Sequence, residues 1–528
     1  MLFRSGHEPE NAIAAVALAD GAVTRLVTGH DFFSDPRPDA AGERLAWLAW
    51  DKPRMPWDGT ELWVGTIAAD GSIADRTLVA GGPAESVLGP VWAPDGSLVF
   101  SSDRSGWWNL YRWRAGAAPE PLCPMAAELA DATWVFGLRW TAIDGDGTVV
   151  AIARSDGRDT LGVVEDGRFR PIPLDATALS GLLVRDGHAW VVAGGPTAST
   201  ALLRVALATG TVTVVRPGRP LPVARERLSM PSHRTFPSAA GRVAHAWYYP
   251  PTSPDAVAPA DERPPLIVMT HGGPTSAART TLDLEIQAFT SRGFAVVDVD
   301  YGGSTGYGRP YRRLLNGQWG IVDVEDCVAA VRSLVADGLA DPARVAIRGG
   351  SAGGYTTLRA LTTTDIFRAG CTAYGIGDLA ALALDTHKFE SAYTDILVAP
   401  WPAGEAVYRE RSPIHAVDRI GCPVLVLQGA DDRVVPRAQA EAIVDALGTA
   451  IDRAKLRGGD RLPPQRALAD RLGVDLTTVT KAYDTARQRG LIEARGRAGT
   501  FVREPASVPA PDPAQVDMGM NKIGRAHV

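Results

Sequence analysis

Two rhythms of apolar and polar positions divide the chain. Over residues 11–218 the alternation is short, as in Arg44-Leu-Ala-Trp-Leu-Ala-Trp50 and Leu98-Val-Phe100. Strict alternation predicts strands with one buried face. Turn signals separate them: Pro94-Asp-Gly96, Asp144-Gly-Asp-Gly147, Asp156-Gly157, Asp166-Gly167 and Asp186-Gly187. Glu43 to Trp50 followed by Glu61-Leu-Trp-Val64 resembles Ser97 to Phe100 followed by Asn109-Leu-Tyr-Arg-Trp113. A unit of this kind every forty to fifty residues or so predicts a β-propeller of about four or five blades. An irregular β-sandwich is the alternative. Trp107, Trp108, Trp134 and Trp140 are expected inside or between blades, with a substrate-facing role as the minor reading.

Near residue 230 the rhythm changes. Leu266-Ile-Val-Met-Thr270, Phe294-Ala-Val-Val-Asp-Val-Asp300, Val345-Ala-Ile347 and Val424-Leu-Val-Leu427 are nearly unbroken apolar runs. Between them Ile321, Val324, Val328, Val331 and Val335 fall on one helical face. Such alternation predicts a mostly parallel sheet with helices on both faces.

A third pattern follows. A helix over residues 464–472 stops at Gly473, a favoured C-terminal signal. Asp475 caps the next helix. Arg495-Gly-Arg-Ala-Gly499 makes a basic hairpin. Helix, turn, helix and basic wing predict a winged helix-turn-helix; a helical lid is the alternative. The expected layout is a partial β-propeller (6–225), an α/β domain (231–447), the winged helix-turn-helix (448–503), then a linker and tail (504–528), Pro/Ala-rich at its start.

Composition adds bounds. The 528 residues are 45% hydrophobic and 22% charged, enough for two or three domains. A net charge of −6 argues against nucleic-acid binding by the chain as a whole but leaves a local basic segment open. Cys123, Cys327, Cys371 and Cys422 are scattered, which fits reduced thiols in a cytoplasm better than a disulfide framework. No apolar run is long enough to span a bilayer, and Met-Leu-Phe-Arg-Ser-Gly-His lacks a signal-peptide core, so no membrane partner is expected.

The chemistry collects at the ends of the apolar runs, where open α/β sheets place their sites. Val345-Ala-Ile-Arg-Gly-Gly-Ser351-Ala-Gly-Gly-Tyr355 carries Gly349-x-Ser351-x-Gly353. That pattern fits a nucleophile elbow, with Ser351 as candidate nucleophile. On its own it is often only a glycine-rich turn. Its neighbours give it meaning. Gly272 and Gly273 can aim a backbone N–H at an oxyanion, with the Ala352 N–H as second donor. Asp431 stands where a triad acid should follow the serine, with Asp432 as alternative. His271 resembles a base but is expected to support the oxyanion loop. Tyr355 and Tyr374 could line a pocket or the core.

Taken together, residues 6 to about 447 resemble the prolyl oligopeptidase family of serine peptidases, in its acylaminoacyl-peptidase and dipeptidyl-aminopeptidase branch. The resemblance rests on Trp57-Asp-Gly-Thr-Glu-Leu-Trp63, Ser102-Asp-Arg-Ser-Gly-Trp-Trp-Asn-Leu-Tyr111, the His271 loop, Tyr301-Gly-Gly-Ser-Thr-Gly-Tyr-Gly308, the elbow, and Gly429-Ala-Asp-Asp-Arg-Val-Val-Pro436. It implies a propeller screening access to a hydrolase that cleaves short peptides through an acyl-enzyme on Ser351. It also implies a catalytic histidine a few tens of residues beyond the acid. After Asp431 the only histidine is His527, so the chain is expected to be inactive as written. The propeller is expected to lack its first blades. In this family a Glu pair on the propeller would recognise an amine; Glu128 is the one candidate.

The stretch from Gly458 to Val502 resembles the GntR family, in its MocR branch. The resemblance implies DNA contacts from Arg466, Thr477 and Thr478, and a wing holding Arg495 and Gly496. Leu476 and Thr480 stand where that family often has arginine, which weakens base readout. No cofactor or metal is expected: the pyridoxal phosphate of full MocR-type regulators belongs to a further domain, of which only Asp517-Met-Gly-Met-Asn521 resembles the opening. Leu2-Phe-Arg-Ser5 can be encoded CTC TTC CGA TCT, and Ile523-Gly-Arg-Ala526 ATC GGA AGA GCA. With flanking bases, AGATCGGAAGAGCAC is the reverse complement of GTGCTCTTCCGATCT, and both ends match a common sequencing adapter. The expectation is a chimeric reading frame, joined near Asp445-Ala-Leu-Gly448.

Overall fold

In the computed structural model the described residues are 8–221, 223–432, 434–453, 466, 492–494 and 500–502. The first part is a run of antiparallel meanders. A two-stranded sheet pairs β1 (Ile13–Val16) with β2 (Val23–Val27). Four four-stranded sheets follow. They are β3 (Phe32–Pro38), β4 (Arg44–Trp50), β5 (Glu61–Ile67), β6 (Ile73–Gly81); β7 (Val87–Trp92), β8 (Leu98–Ser102), β9 (Asn109–Trp113), β10 (Glu120–Pro121); β11 (Thr141–Ile143), β12 (Val149–Ser155), β13 (Arg158–Glu165), β14 (Arg168–Ile172); and β15 (Ala178–Arg185), β16 (His188–Gly195), β17 (Ala198–Ala206), β18 (Val212–Arg216).

These are propeller blades, and their hairpins follow from local chemistry. Asp156-Gly157, Asp166-Gly167 and Asp186-Gly187 each hold both residues at positive φ. That is the type I′ turn whose twist matches a two-residue hairpin. Each blade is buried on its faces by the next: Val150, Ile152, Leu161 and Val163 pack with Leu182, Val184, Ala189 and Val191 of the following blade.

The hydrolase part is one seven-stranded sheet of order β19 (Ser232–Pro237), β20 (Val243–Tyr249), β22 (Ala295–Asp300), β21 (Leu266–Thr270), β23 (Val345–Gly350), β24 (Ala369–Ala373), β25 (Val424–Leu427). From β22 to β25 all neighbours are parallel. The helices are α1 (Leu284–Thr290), α2 (Gly308–Arg312), α3 (Val322–Ala336), α4 (Ala352–Thr363), α5 (Leu379–Leu384), α6 (Tyr393–Leu397), α7 (Glu405–Arg411) and α8 (Arg437–Arg453). The core face of α3 differs from expectation. Val324 and Val331 are buried, but their companions there are Cys327, Ala330 and Leu334. Val328 is only half-buried and borders an open groove. Valines on two adjoining stripes of one helix made the face ambiguous from spacing alone.

Propeller and hydrolase meet through buried charge. The Arg312 guanidinium lies 3.8 Å from the Trp108 ring centroid and 2.6 Å from Asp103. Arg309 joins the same carboxylate. Arg154 sits between Asp131 (2.9 Å) and Asp159 (2.7 Å), and Arg279 reaches Asp131 from the hydrolase side. Glu128 belongs here too. Its carboxylate accepts from the Trp108 N–H (2.7 Å) and the Gly308 N–H (3.1 Å). Glu128 is therefore buried structure between the domains, not a group offered to a substrate amine. Burial pushes its carboxyl up to about 7.

Helix α8 runs unbroken through the expected junction near residues 445–448. Beyond it, β26 (Ile492–Ala494) pairs antiparallel with β27 (Thr500–Val502), bracketing the hairpin read as a wing. Arg466 is helical and exposed. Thr477, Thr478, Arg495 and Gly496 lie outside the described residues.

Candidate active site

Strand β23 delivers Ser351 at its C-terminal end, and α4 begins at the next residue. Ser351 has φ 54° and ψ −124°, a conformation that a residue with a Cβ adopts only under constraint. The constraint is visible. The Ser351 N–H donates to the Ala373 carbonyl of β24 (3.0 Å), and its own carbonyl accepts from the Tyr355 N–H (3.1 Å). Helix α4 then comes so close to β21 that a Cβ on Gly353 would collide with the Thr270 carbonyl oxygen. The elbow glycines thus serve a backbone crossing, and Ser351 carries the strain.

The loop after β21 lies beside the nucleophile. A Cβ placed on Gly272 would stand 3.6 Å from that of Ser351. Among the described residues the N–H groups of Gly272, Gly273 and Ala352 carry no hydrogen bond. They are donors without acceptors, grouped where an oxyanion would form.

His271 holds this loop. Its Nδ1–H donates to the Gly272 carbonyl (2.9 Å), and Nε2 accepts from the Ser304 hydroxyl (2.8 Å). The ring stacks on Tyr301 at 4.3 Å, and the Tyr301 hydroxyl donates to the His271 carbonyl at 2.8 Å. Burial pushes the imidazole down to about 4. A neutral ring with both nitrogens engaged is a scaffold, as the sequence suggested.

The two aspartates after β25 separate. Asp431 is exposed. Asp432 is half-buried and borders a cavity of about 1140 Å³ between propeller and hydrolase. Asp432 Oδ1 accepts from the N–H groups of Val434 (2.9 Å) and Val435 (3.0 Å). Oδ2 has no partner among the described residues.

No described histidine hydrogen-bonds Ser351 or either aspartate. His30 pairs with Asp51, His188 turns to the Asp186 carbonyl, and His233 reaches Tyr307. His245 stacks on Tyr307, and His387 stands 3.6 Å from Glu390.

The cavity walls come from both domains: Phe32, Trp50, Trp134 and Phe136 from the blades, His387 and Phe389 from the loop before α6. Trp134 also donates from its indole N–H to the Thr275 carbonyl (2.7 Å), two residues beyond Gly273. The propeller therefore braces the oxyanion loop. Trp108 is fully buried and Trp140 lies under Arg154, as expected for blade tryptophans. Trp134 is partly exposed and lines the cavity beside the oxyanion loop. Tyr355 is core, while the Tyr374 ring lies against Gly350 beside the nucleophile. The loop with His387 and Phe389 carries no motif, so nothing in the residue pattern points to it.

Residues 280–457 match the prolyl oligopeptidase family, and residues 439–502 the gntR family of bacterial regulatory proteins. The chain is 34% identical over 194 residues to dipeptidyl aminopeptidase BIII of Pseudoxanthomonas mexicana, covering 36% of this chain and 28% of that protein. It is 30% identical over 194 residues to the acylamino-acid-releasing enzyme of Arabidopsis thaliana, covering 35% of this chain and 25% of that one. A solved Mycobacterium tuberculosis puromycin-hydrolyzing peptidase is 43% identical with a TM-score of 0.79, over 82% of this chain and 66% of that one. The chain thus matches about a quarter of its curated relatives' length and 66% of this solved one.

Proposed function

We propose, for a chain that belongs over residues 280–457 to the prolyl oligopeptidase family, that its chemistry is acyl transfer from short peptides or aminoacyl amides to Ser351. The observation that carries the reading is the strained Ser351 backbone beside three N–H donors unpartnered among the described residues. In this reading Ser351 is the nucleophile, and Gly272, Gly273 and Ala352 offer the oxyanion donors. Asp432, which faces the cavity, fits the acid better than the exposed Asp431. Relatives named as a dipeptidyl aminopeptidase, an acylamino-acid-releasing enzyme and a puromycin-hydrolyzing peptidase support short substrates.

Among the described residues the missing component is the imidazole. Without a base the serine hydroxyl stays protonated, and triad enzymes deprived of histidine lose several orders of magnitude. The chain as written is therefore expected to show no measurable peptidase activity, and Ser351→Ala to change nothing. Peptidase activity that disappears in Ser351→Ala would mean that a histidine is supplied from elsewhere. The nucleophile itself is tested with a fluorophosphonate at alkaline pH, where hydroxide takes the part of the base. Mass spectrometry should find the label on Ser351. Label spread over other serines, with none there, would sink the reading.

A second reading has its own support. The two family matches overlap over residues 439–457, around the expected junction. This favours a chimeric reading frame that joins a peptidase to a DNA-binding regulator. In the regulator, Arg466, Thr477, Thr478, Arg495 and Gly496 would contact DNA. Sequencing across codons 430–470 in source DNA decides it. A continuous product makes the fusion real, and two separate loci make it an artefact. DNA retention that falls steeply with salt would support the regulator half.

A further inference from the structure

Helix α3 is apolar over more of its circumference than the core uses. Ile321, just ahead of it, and then Val324, Val328 and Ala329 run at helical spacing into Arg332 and Ala336. This stripe lines an open groove of about 930 Å³. One wall is the Pro237-Ser238-Ala239 turn after β19, and the other is Gly320, Arg359 and the C-terminal end of α4. Guanidinium groups flank the apolar floor. Arg332 is exposed, and its side chain has no partner among the described residues. Arg359 donates to the carbonyls of Gly320 (3.3 Å) and Glu410 (3.0 Å) and meets no carboxylate among the described residues. The carboxylates that border the groove are already engaged: Glu325 pairs with Arg242 (2.6 Å) and Asp337 with Arg234 (3.5 Å). A neighbouring hollow of about 550 Å³ shares Thr363 and Thr364 and adds Arg368 and Arg419 against one carboxylate, Asp365.

The chain as a whole carries a net charge of −6, so this basic groove is a local feature. An apolar floor between uncompensated guanidiniums matches a ligand that is apolar and acidic at once. Nucleic acid is the poorer match. No aromatic ring borders the groove, so a base has nothing to stack on. We propose that the groove beside α3 docks an acidic amphipathic helix of a partner protein. Its aliphatic face would lie on Ile321, Val324 and Val328, and its carboxylates would meet Arg332 and Arg359. Helix α3 spans 15 residues, which at about 1.5 Å per residue seats roughly four turns of a partner laid along it. The groove borders none of the residues assigned to acyl transfer, so the docking surface stands apart from the serine-peptidase reading.

The probe is a capped, fluorescein-labelled peptide of about 18 Leu, Glu and Ala residues, with leucines along one helical face and glutamates flanking them. It is titrated into the full chain at low and at physiological salt. Saturable anisotropy is expected, weaker as salt rises, with slowed hydrogen exchange over the α3 amides. Arg332→Glu sets like charge against the glutamates, and Val328→Asp places a charge on the floor. Each should weaken binding about tenfold or more. Arg185→Glu, on an exposed blade strand, should not. A peptide with lysine in place of glutamate, and one with serine in place of leucine, should each bind at least about tenfold more weakly. Thermal midpoints check that the variants fold, and the exposed Arg332→Glu keeps the test standing where Val328→Asp does not. No saturable binding, equal binding of the lysine peptide, or unchanged affinity in Arg332→Glu overturns the proposal. A thymidine oligonucleotide that binds more tightly and protects the same α3 amides overturns it and makes the groove a nucleic-acid surface. A self-dimer that Val328→Asp dissolves and the peptide cannot displace also overturns it, making a second copy the occupant.

Discussion

Single residues here serve two ends, geometry and protonation. Gly353 is geometry. Gly353→Ala would drive a methyl into the Thr270 carbonyl. Forcing atoms into a packed crossing costs roughly 1–3 kcal/mol or more. The expected outcome is a clear fall in the thermal midpoint, read by calorimetry; an unchanged midpoint would mean that α4 and β21 can separate. His271 is protonation. Its folded pKa of about 4 lies below its ordinary value of 6.5, because burial disfavours the charged ring. The unfolded chain therefore binds more protons between these values. Stability is full above pH 6.5 and is lost as pH falls towards 4, by roughly 3 kcal/mol for this group. His245 is pushed down to about 4 for the same cause and adds to the slope. His271→Gln should flatten part of the dependence of urea-unfolding stability on pH. A slope as steep as in the parent would remove His271 from that role.

At the scale of elements, local signals and tertiary contacts divide the work. The Asp-Gly hairpins and the α1 cap are local. Asp283 accepts from the N–H groups of Glu285 (2.8 Å) and Ile286 (3.3 Å) at the start of α1. Asp283→Ala should cost about 1 kcal/mol in denaturant unfolding, as lost caps do. A neutral result would mean that contacts with β22 hold α1 without its cap. Helix α8 shows the opposite case. Sequence from either side of the expected junction favours helix, so the helix runs through, and the boundary between families leaves no mark in secondary structure.

For the whole molecule, the interface between propeller and hydrolase is the decisive feature. Arg312 is fully buried against Asp103, Glu128 and the Trp108 ring. Arg312→Met would leave two buried carboxylates short of their cation. Breaking a buried pair on one side typically costs about 3–5 kcal/mol. Limited proteolysis should then cut between the domains, near residues 217–231, faster than in the parent. Equal rates would show that the remaining contacts, Arg154 with Asp131 and Asp159 among them, suffice to hold the domains together.

Much of this was legible in the residues. Alternation and turn chemistry are local properties, so the blades could be read from Asp156-Gly157 and its kin. Continuous apolar runs announced the parallel sheet, and Gly349-x-Ser351-x-Gly353 marked the elbow because only glycine survives that crossing. Other features depend on approach through space. Whether Asp431 or Asp432 faces the cavity, which tryptophans line it, and that Glu128 is interface rather than substrate site are set by how two domains dock. The ambiguous face of α3 was resolved the same way. Local spacing determines elements and turns, while the partner of a buried charge is chosen by residues distant in the chain, which only the folded structure brings together.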